Sequence, residues 1–173
     1  ESDLIKASFT NLNTAMVSLE VKGDRYLDAG GEPHELVTTD KEWYWPIAPE
    51  FSGVAIPADA LWTLSESSKE RLRFEWAGDG VTVTRTWELV DPPFQLSSTV
   101  EVRNDGEHRR SVGYSVTSGH YVRREDEKGG FFGRPSPALS HGICQYGEET
   151  VREDREGLLS EDETRPLQAQ SYG

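Results

Sequence analysis

The chain has little of what most active sites are built from. Its 173 residues hold one cysteine (Cys144), one methionine and four histidines. A single cysteine closes no internal disulfide and builds no cysteine-based zinc site. His34, His108, His120 and His141 are scattered, and no pair has the spacing of a helical metal site. They read as surface or strand-end histidines. No Asp-x-Asp-x-Asp loop with a closing Glu is present, which excludes an EF-hand. The acids Glu125-Asp126-Glu127 read as a solvated loop and not as a calcium site. There is no Gly-x-Ser-x-Gly elbow. Gly78-Asp79-Gly80 lies between strand-like segments and not before a helix, so it is no phosphate loop. Cys144 sits in the alternation Ile143-Cys144-Gln145-Tyr146 and reads as a packed small hydrophobe. No metal or cofactor is expected, and the chain is not expected to be an enzyme.

Positive charge is also scarce. Eighteen Lys and Arg face 31 Asp and Glu, for a formal net charge of −13. A nucleic-acid binder carries a basic stripe, and this chain has the opposite balance. The same balance opposes attraction to anionic lipid. No apolar run approaches the roughly 18 residues of a membrane-spanning helix. No signal peptide opens the chain, which starts Glu1-Ser2-Asp3. That start suits a domain excised from a longer protein.

What is present is strand. The length suits one domain over 1–173. Five Trp, six Tyr and six Phe can fill its core. Phe9, Leu12, Val17, Leu19 and Val21 suggest two strand pieces joined at Asn11 and Asn13. Leu36-Val37-Thr38-Thr39 is a short strand candidate. Residues 43–57 read as a loop, because Pro46, Pro49 and Pro57 argue against a central strand. Trp62-Thr63-Leu64 is a strand candidate, followed by a polar turn from Ser65 to Glu70. Leu72, Phe74 and Trp76 alternate with charged residues up to Gly78-Asp79-Gly80, and Val81, Val83, Trp87 and Leu89 follow. This is the clearest hairpin in the chain. On period two, Val81, Val83, Arg85, Trp87 and Leu89 share one face. Trp87 is then a buried anchor, and the head of Arg85 is expected to reach an edge or a carboxylate. Phe94, Leu96, Ser98, Val100 and Val102 alternate to the turn Asn104-Asp105-Gly106, and Val112, Tyr114 and Val116 begin a returning strand. Gly142 to Val151 offers one more strand. Short strands with regular turns predict an antiparallel β-sandwich.

Four segments resemble a known family. They are Gly80–Leu89 (GVTVTRTWEL), Pro93–Gly106 (PFQLSSTVEVRNDG), Thr10–Leu19 (TNLNTAMVSL) and His141–Val151 (HGICQYGEETV). Together they are similar to the first large periplasmic domain of YidC-type membrane protein insertases, and the likeness runs from about Leu4 to Asp154. Two departures stand out. Lys22-Gly23-Asp24 replaces a double glycine that often follows the first strand pair. The chain also stops at Tyr172-Gly173, about where a further strand with a Gly-Trp and Tyr-Phe signature would begin, which suggests truncation at the C-terminus with an exposed sheet edge.

The resemblance implies a twisted antiparallel β-supersandwich, as in galactose mutarotases. It implies a periplasmic domain of a bacterial inner-membrane protein. Its parent would insert and help fold membrane proteins, alone or with the Sec translocon. The expected partners are the Sec translocon, its accessory proteins and nascent membrane proteins. The expected task is docking, by addition of a strand to a sheet edge for example. Two other readings share the fold. An aldose epimerase could use His120 as an acid, but no partner carboxylate is identifiable. A carbohydrate-binding module could use Trp43, Tyr44 and Trp45 as a stacking platform, or meet a sugar at His120-Tyr121. Against these stand aromatics that simply plug the sandwich and an ordinary strand-end histidine.

Overall fold

The computed structural model describes residues 1–28, 30–39, 41–42, 45–90, 94–117 and 141–154. Among them are eleven strands and one short 3-10 turn, Asp24–Tyr26. The chain divides into two compact units, Glu1–Tyr121 and Val122–Gly173.

The first unit is built from β1 (Ile5–Phe9), β2 (Met16–Val21), β3 (His34–Glu35), β4 (Ala48–Ser52), β5 (Thr63–Ser67), β6 (Arg71–Gly78), β7 (Val81–Val90), β8 (Gln95–Asn104) and β9 (Gly113–Thr117). They form three antiparallel sheets, in the orders β1-β2-β3, β5-β6-β7-β8 and β4-β9. Met16, Val54, Ala60, Trp62, Phe74, Val81, Val83 and Trp87 make one core, and Phe9, Leu19, Phe51, Leu96, Val100 and Val112 pack against it. Each sheet contributes to this list, so the sheets face one another across shared apolar contacts, as in a sandwich. In place of the one strand expected over Gly142 to Val151, the second unit contributes a hairpin of β10 (His141–Tyr146) and β11 (Glu149–Asp154), paired in regular register.

The hairpin read from the sequence is present. Gly78 pairs with Val81, which leaves Asp79-Gly80 as a two-residue loop with φ of 49° and 70°. Two positive φ values in succession make the turn whose twist matches the flanking strands. Arg110 Nη1 holds the Asp79 carboxylate at 2.7 Å, and Asp79 also accepts the Ala55 amide at 3.2 Å. Both contacts hold the Asp79 carboxyl below its ordinary pKa, the Arg110 bond first. β7 is one of the two inner strands of its sheet, and every residue from Val81 to Trp87 is buried. Trp87 is 2% exposed, with its ring 4.7 Å from that of Phe9.

Five further expectations about strands and Cys144 need correction. The strand expected at Leu36–Thr39 falls one step earlier, at β3. Glu35 explains why the ladder stops there. Its carboxylate accepts the Leu19 amide (2.8 Å), the Val37 amide (2.7 Å) and the Ser18 hydroxyl (2.5 Å), replacing further strand partners. The proline-rich stretch contains a strand, β4. It pairs only with β9, and a two-stranded sheet tolerates Pro49 where a central position would not. β5 runs on to Ser67, with a register shift between Leu64 and Glu66, so the turn is confined to Ser68–Glu70. β9 does not return along β8; it crosses to β4. Cys144 is exposed, because in the two-stranded ribbon it pairs across from Val151 without entering a core.

Candidate functional site

Arg85 sits in the middle of β7, between Val83 and Trp87, and is fully buried at 0% exposure. Its head reaches neither an edge nor a carboxylate, contrary to the sequence expectation. Nε donates to Ser98 Oγ at 3.0 Å. Nη1 donates to Thr14 Oγ1 at 3.0 Å and to the Thr14 carbonyl at 3.4 Å. Nη2 donates to the Ile47 carbonyl at 2.9 Å. The guanidinium carbon lies 4.3 Å from the Trp87 ring centre. Among the described residues no carboxylate pairs with it. Burial lowers its pKa to about 10, so it keeps its charge at neutral pH. A buried cation without a counter-ion is costly and persists where hydrogen bonds compensate it.

The residues Arg85 binds are themselves unusual. Asn13, Thr14 and Ile47 have φ of 52°, 50° and 62°. Left-handed backbone is disfavoured for β-branched residues such as Thr14 and Ile47. Arg85 therefore ties two strained turns, the β1–β2 connection and the entry to β4, to the central strand. Sites of such strain are frequent where a surface must be held in one shape.

Those two turns flank a groove of about 580 Å³. Its lining includes the half-buried Leu12, Trp45, Phe51 and Ile56, the exposed Pro57, and the exposed carboxylates Glu42, Glu50 and Asp59. The described lining includes no lysine or arginine. The walls are cross-linked by backbone bonds, Asn13 N to Ala60 O at 3.1 Å and Trp62 N to Asn11 O at 2.8 Å. Asn13 Nδ2 also donates to the Pro49 carbonyl at 3.5 Å. A larger recess of about 790 Å³ beside Ile5 mixes Lys22 and Lys69 with Glu1, Asp3 and Glu70, so it carries no field of one sign.

Of the five contact residues expected from the sequence, Trp45 is described, half-buried in this groove. Trp43, Tyr44, His120 and Tyr121 lie outside the described residues. The rim acids Glu42, Glu50 and Asp59 were not foreseen. The sequence signal for them is weak, since each carboxylate lies on a different segment between prolines and small residues. Among the described residues, no group of three or more His, Cys, Asp or Glu is placed to hold a metal ion. No helix among them is long and apolar enough to cross a membrane.

The all-β scaffold carries a groove with three carboxylates in its lining. Comparison with known proteins gives this chain a relative. The chain is 27% identical over 167 residues to the membrane protein insertase YidC of Anaeromyxobacter sp. (strain Fw109-5), an alignment covering 90% of this chain. The chain spans 30% of the length of that relative. No protein-family model matches the chain. No solved structure matches it either. The resemblance to YidC-type insertases read from the sequence stands, and the all-β antiparallel fold fits a periplasmic domain of such a protein.

Proposed function

We propose that this chain is a non-catalytic, periplasmic domain of an inner-membrane insertase, and that it docks partners of the insertion machinery. The observation that carries the reading is the similarity to an insertase along 90% of the chain. The proposed partners are the Sec translocon, its accessory proteins and nascent membrane proteins. The net charge of −13 supports a surface that stays off anionic lipid and meets proteins instead. The work of insertion is assigned to parts of the parent outside this chain. Neither the epimerase nor the carbohydrate-binding reading gains support from the similarity.

Complementation tests the non-catalytic part of the proposal. In a strain depleted of its insertase, a full-length parent lacking this domain is expected to insert simple substrates. Complete loss of insertion, with normal membrane levels of the truncated protein, would contradict it.

A further inference from the structure

We propose that the Trp45 groove takes an extended peptide segment in which apolar side chains alternate with lysine or arginine. The inference deepens the docking reading and relies on it only for the identity of the natural partner. Four observations on the first unit lead there.

The first is sign. Glu42, Glu50 and Asp59 come from three segments, and the described lining holds no cation to answer them. A cleft lined by one sign focuses its field on whatever enters, so the occupant is cationic. The second is the apolar floor. Trp45, Phe51, Ile56 and Pro57 offer a surface that a simple polyamine or a hydrated metal ion does not use. Leu61, 69% exposed and bridged to Leu12 across the β1–β2 connection, extends the apolar area beyond the groove. An occupant must carry apolar groups beside its charges. The third is spacing. The carboxylates line a groove and do not converge: they form no metal-type cluster among the described residues. Several separate cations on one chain fit them better than one ion. An extended segment places alternate side chains on opposite faces, with apolar groups down and charges toward the rim.

The fourth is rigidity. Pro49 and Pro57 have fixed φ. Asn13, Thr14 and Ile47 are held left-handed, and Arg85 is hydrogen-bonded to the last two. A groove set before its ligand arrives spares the entropy of ordering on binding. Thr14 and Ile47 lie beside lining residues Asn13, Ala15 and Ala48, so holding the two turns holds that part of the groove.

The test uses the 173-residue chain and three dye-labelled heptapeptides: Lys alternating with Leu, Glu alternating with Leu, and Lys alternating with Ser. Fluorescence anisotropy reads binding at low and moderate salt. The Lys–Leu peptide is expected to bind saturably, and to weaken several-fold as salt rises, since exposed charges are screened. The Glu–Leu and Lys–Ser peptides are expected to bind at least tenfold more weakly. Glu50→Lys with Asp59→Lys is expected to weaken the Lys–Leu peptide at least tenfold, and Trp45→Ala at least fivefold. A pair with the same charge change elsewhere, Glu75→Lys with Glu107→Lys, is expected to leave affinity within twofold. The charge changes fall at exposed sites so that folding survives, and each variant's thermal midpoint, that of Trp45→Ala included, is checked. Equal weakening by both charge pairs means attraction to net charge only and overturns the proposal. So does equal binding of the Lys–Ser peptide, or indifference to Trp45→Ala. These outcomes leave the complementation result untouched, so the groove and the docking reading fail separately.

Discussion

Replacing Arg85 by methionine keeps the aliphatic stem and removes the guanidinium. The buried carbonyl and hydroxyl of Thr14 and the carbonyl of Ile47 then lose their donor. Ser98 loses one as well, but it is exposed and can turn to water. Orphaning a buried acceptor costs about 1–3 kcal/mol, so the three Thr14 and Ile47 acceptors together cost at most about 3–9 kcal/mol. The stacking of the guanidinium on Trp87 is lost too, at about 1–2 kcal/mol. Against this stands relief from burying a cation with no counter-ion, which offsets part of the loss. The net expectation is a destabilisation of about 2–4 kcal/mol, from a total commonly about 5–15 kcal/mol. Urea titration measures it. Amide hydrogen exchange should also show faster opening around Thr14 and Ile47, because their left-handed backbone then loses the bonds that tie it to β7. A change in stability within about 0.5 kcal/mol, or a gain, would refute the reasoning: the ion's burial would then cost as much as its bonds return.

Trp87→Ala removes a ring that is 2% exposed and packed on Phe9 and Arg85; it should cost about 3–5 kcal/mol by urea titration, and a loss below about 1 kcal/mol would count against its anchoring role. For Glu35, burial raises the pKa, but the Ser18 hydroxyl and the amides of Leu19, Val37 and Leu36 outweigh it and hold the carboxyl below its ordinary value. A depressed carboxylate gives stability that is full above its unfolded pKa and is lost as pH falls through the folded one. Glu35→Gln should therefore cost about 1–2 kcal/mol at neutral pH, and the gap to the wild type should close on acidification below the ordinary carboxylate range; a pH-independent gap would contradict it. Cys144, exposed and unpaired, should react with a thiol reagent at the rate of the denatured chain to within about tenfold, and protection far beyond that would contradict its placement.

The parts of the fold that are local in sequence were legible. Strict alternation located β7 and β8, and Gly78-Asp79-Gly80 located the turn between β6 and β7. Trp87 was placed in the core by the same period. Pairing between distant segments was not legible. Nothing in Ala48–Ser52 announces Gly113–Thr117 as its partner, and without that partner a stretch with Pro49 reads as loop. Period two also assigns a face without saying what covers it. It put Arg85 on the apolar face, yet could not show that Thr14 and Ile47 stand ready with carbonyls above it. For Cys144 the period was right and the face was simply uncovered in a two-stranded ribbon. The groove was half visible. Trp45 stands out among prolines, while Glu42, Glu50 and Asp59 matter only once the fold gathers them.

Site-specific photocross-linking in the proposed full-length parent, in native membranes, tests the docking account most directly. A photoreactive residue is placed in turn at Trp45, at Leu61 and, away from the groove, at Thr99. Adducts with a Sec component or a nascent inner-membrane protein are expected from positions 45 and 61, and few from position 99. Normal membrane levels of that parent with no protein adduct from any of the three would contradict the account.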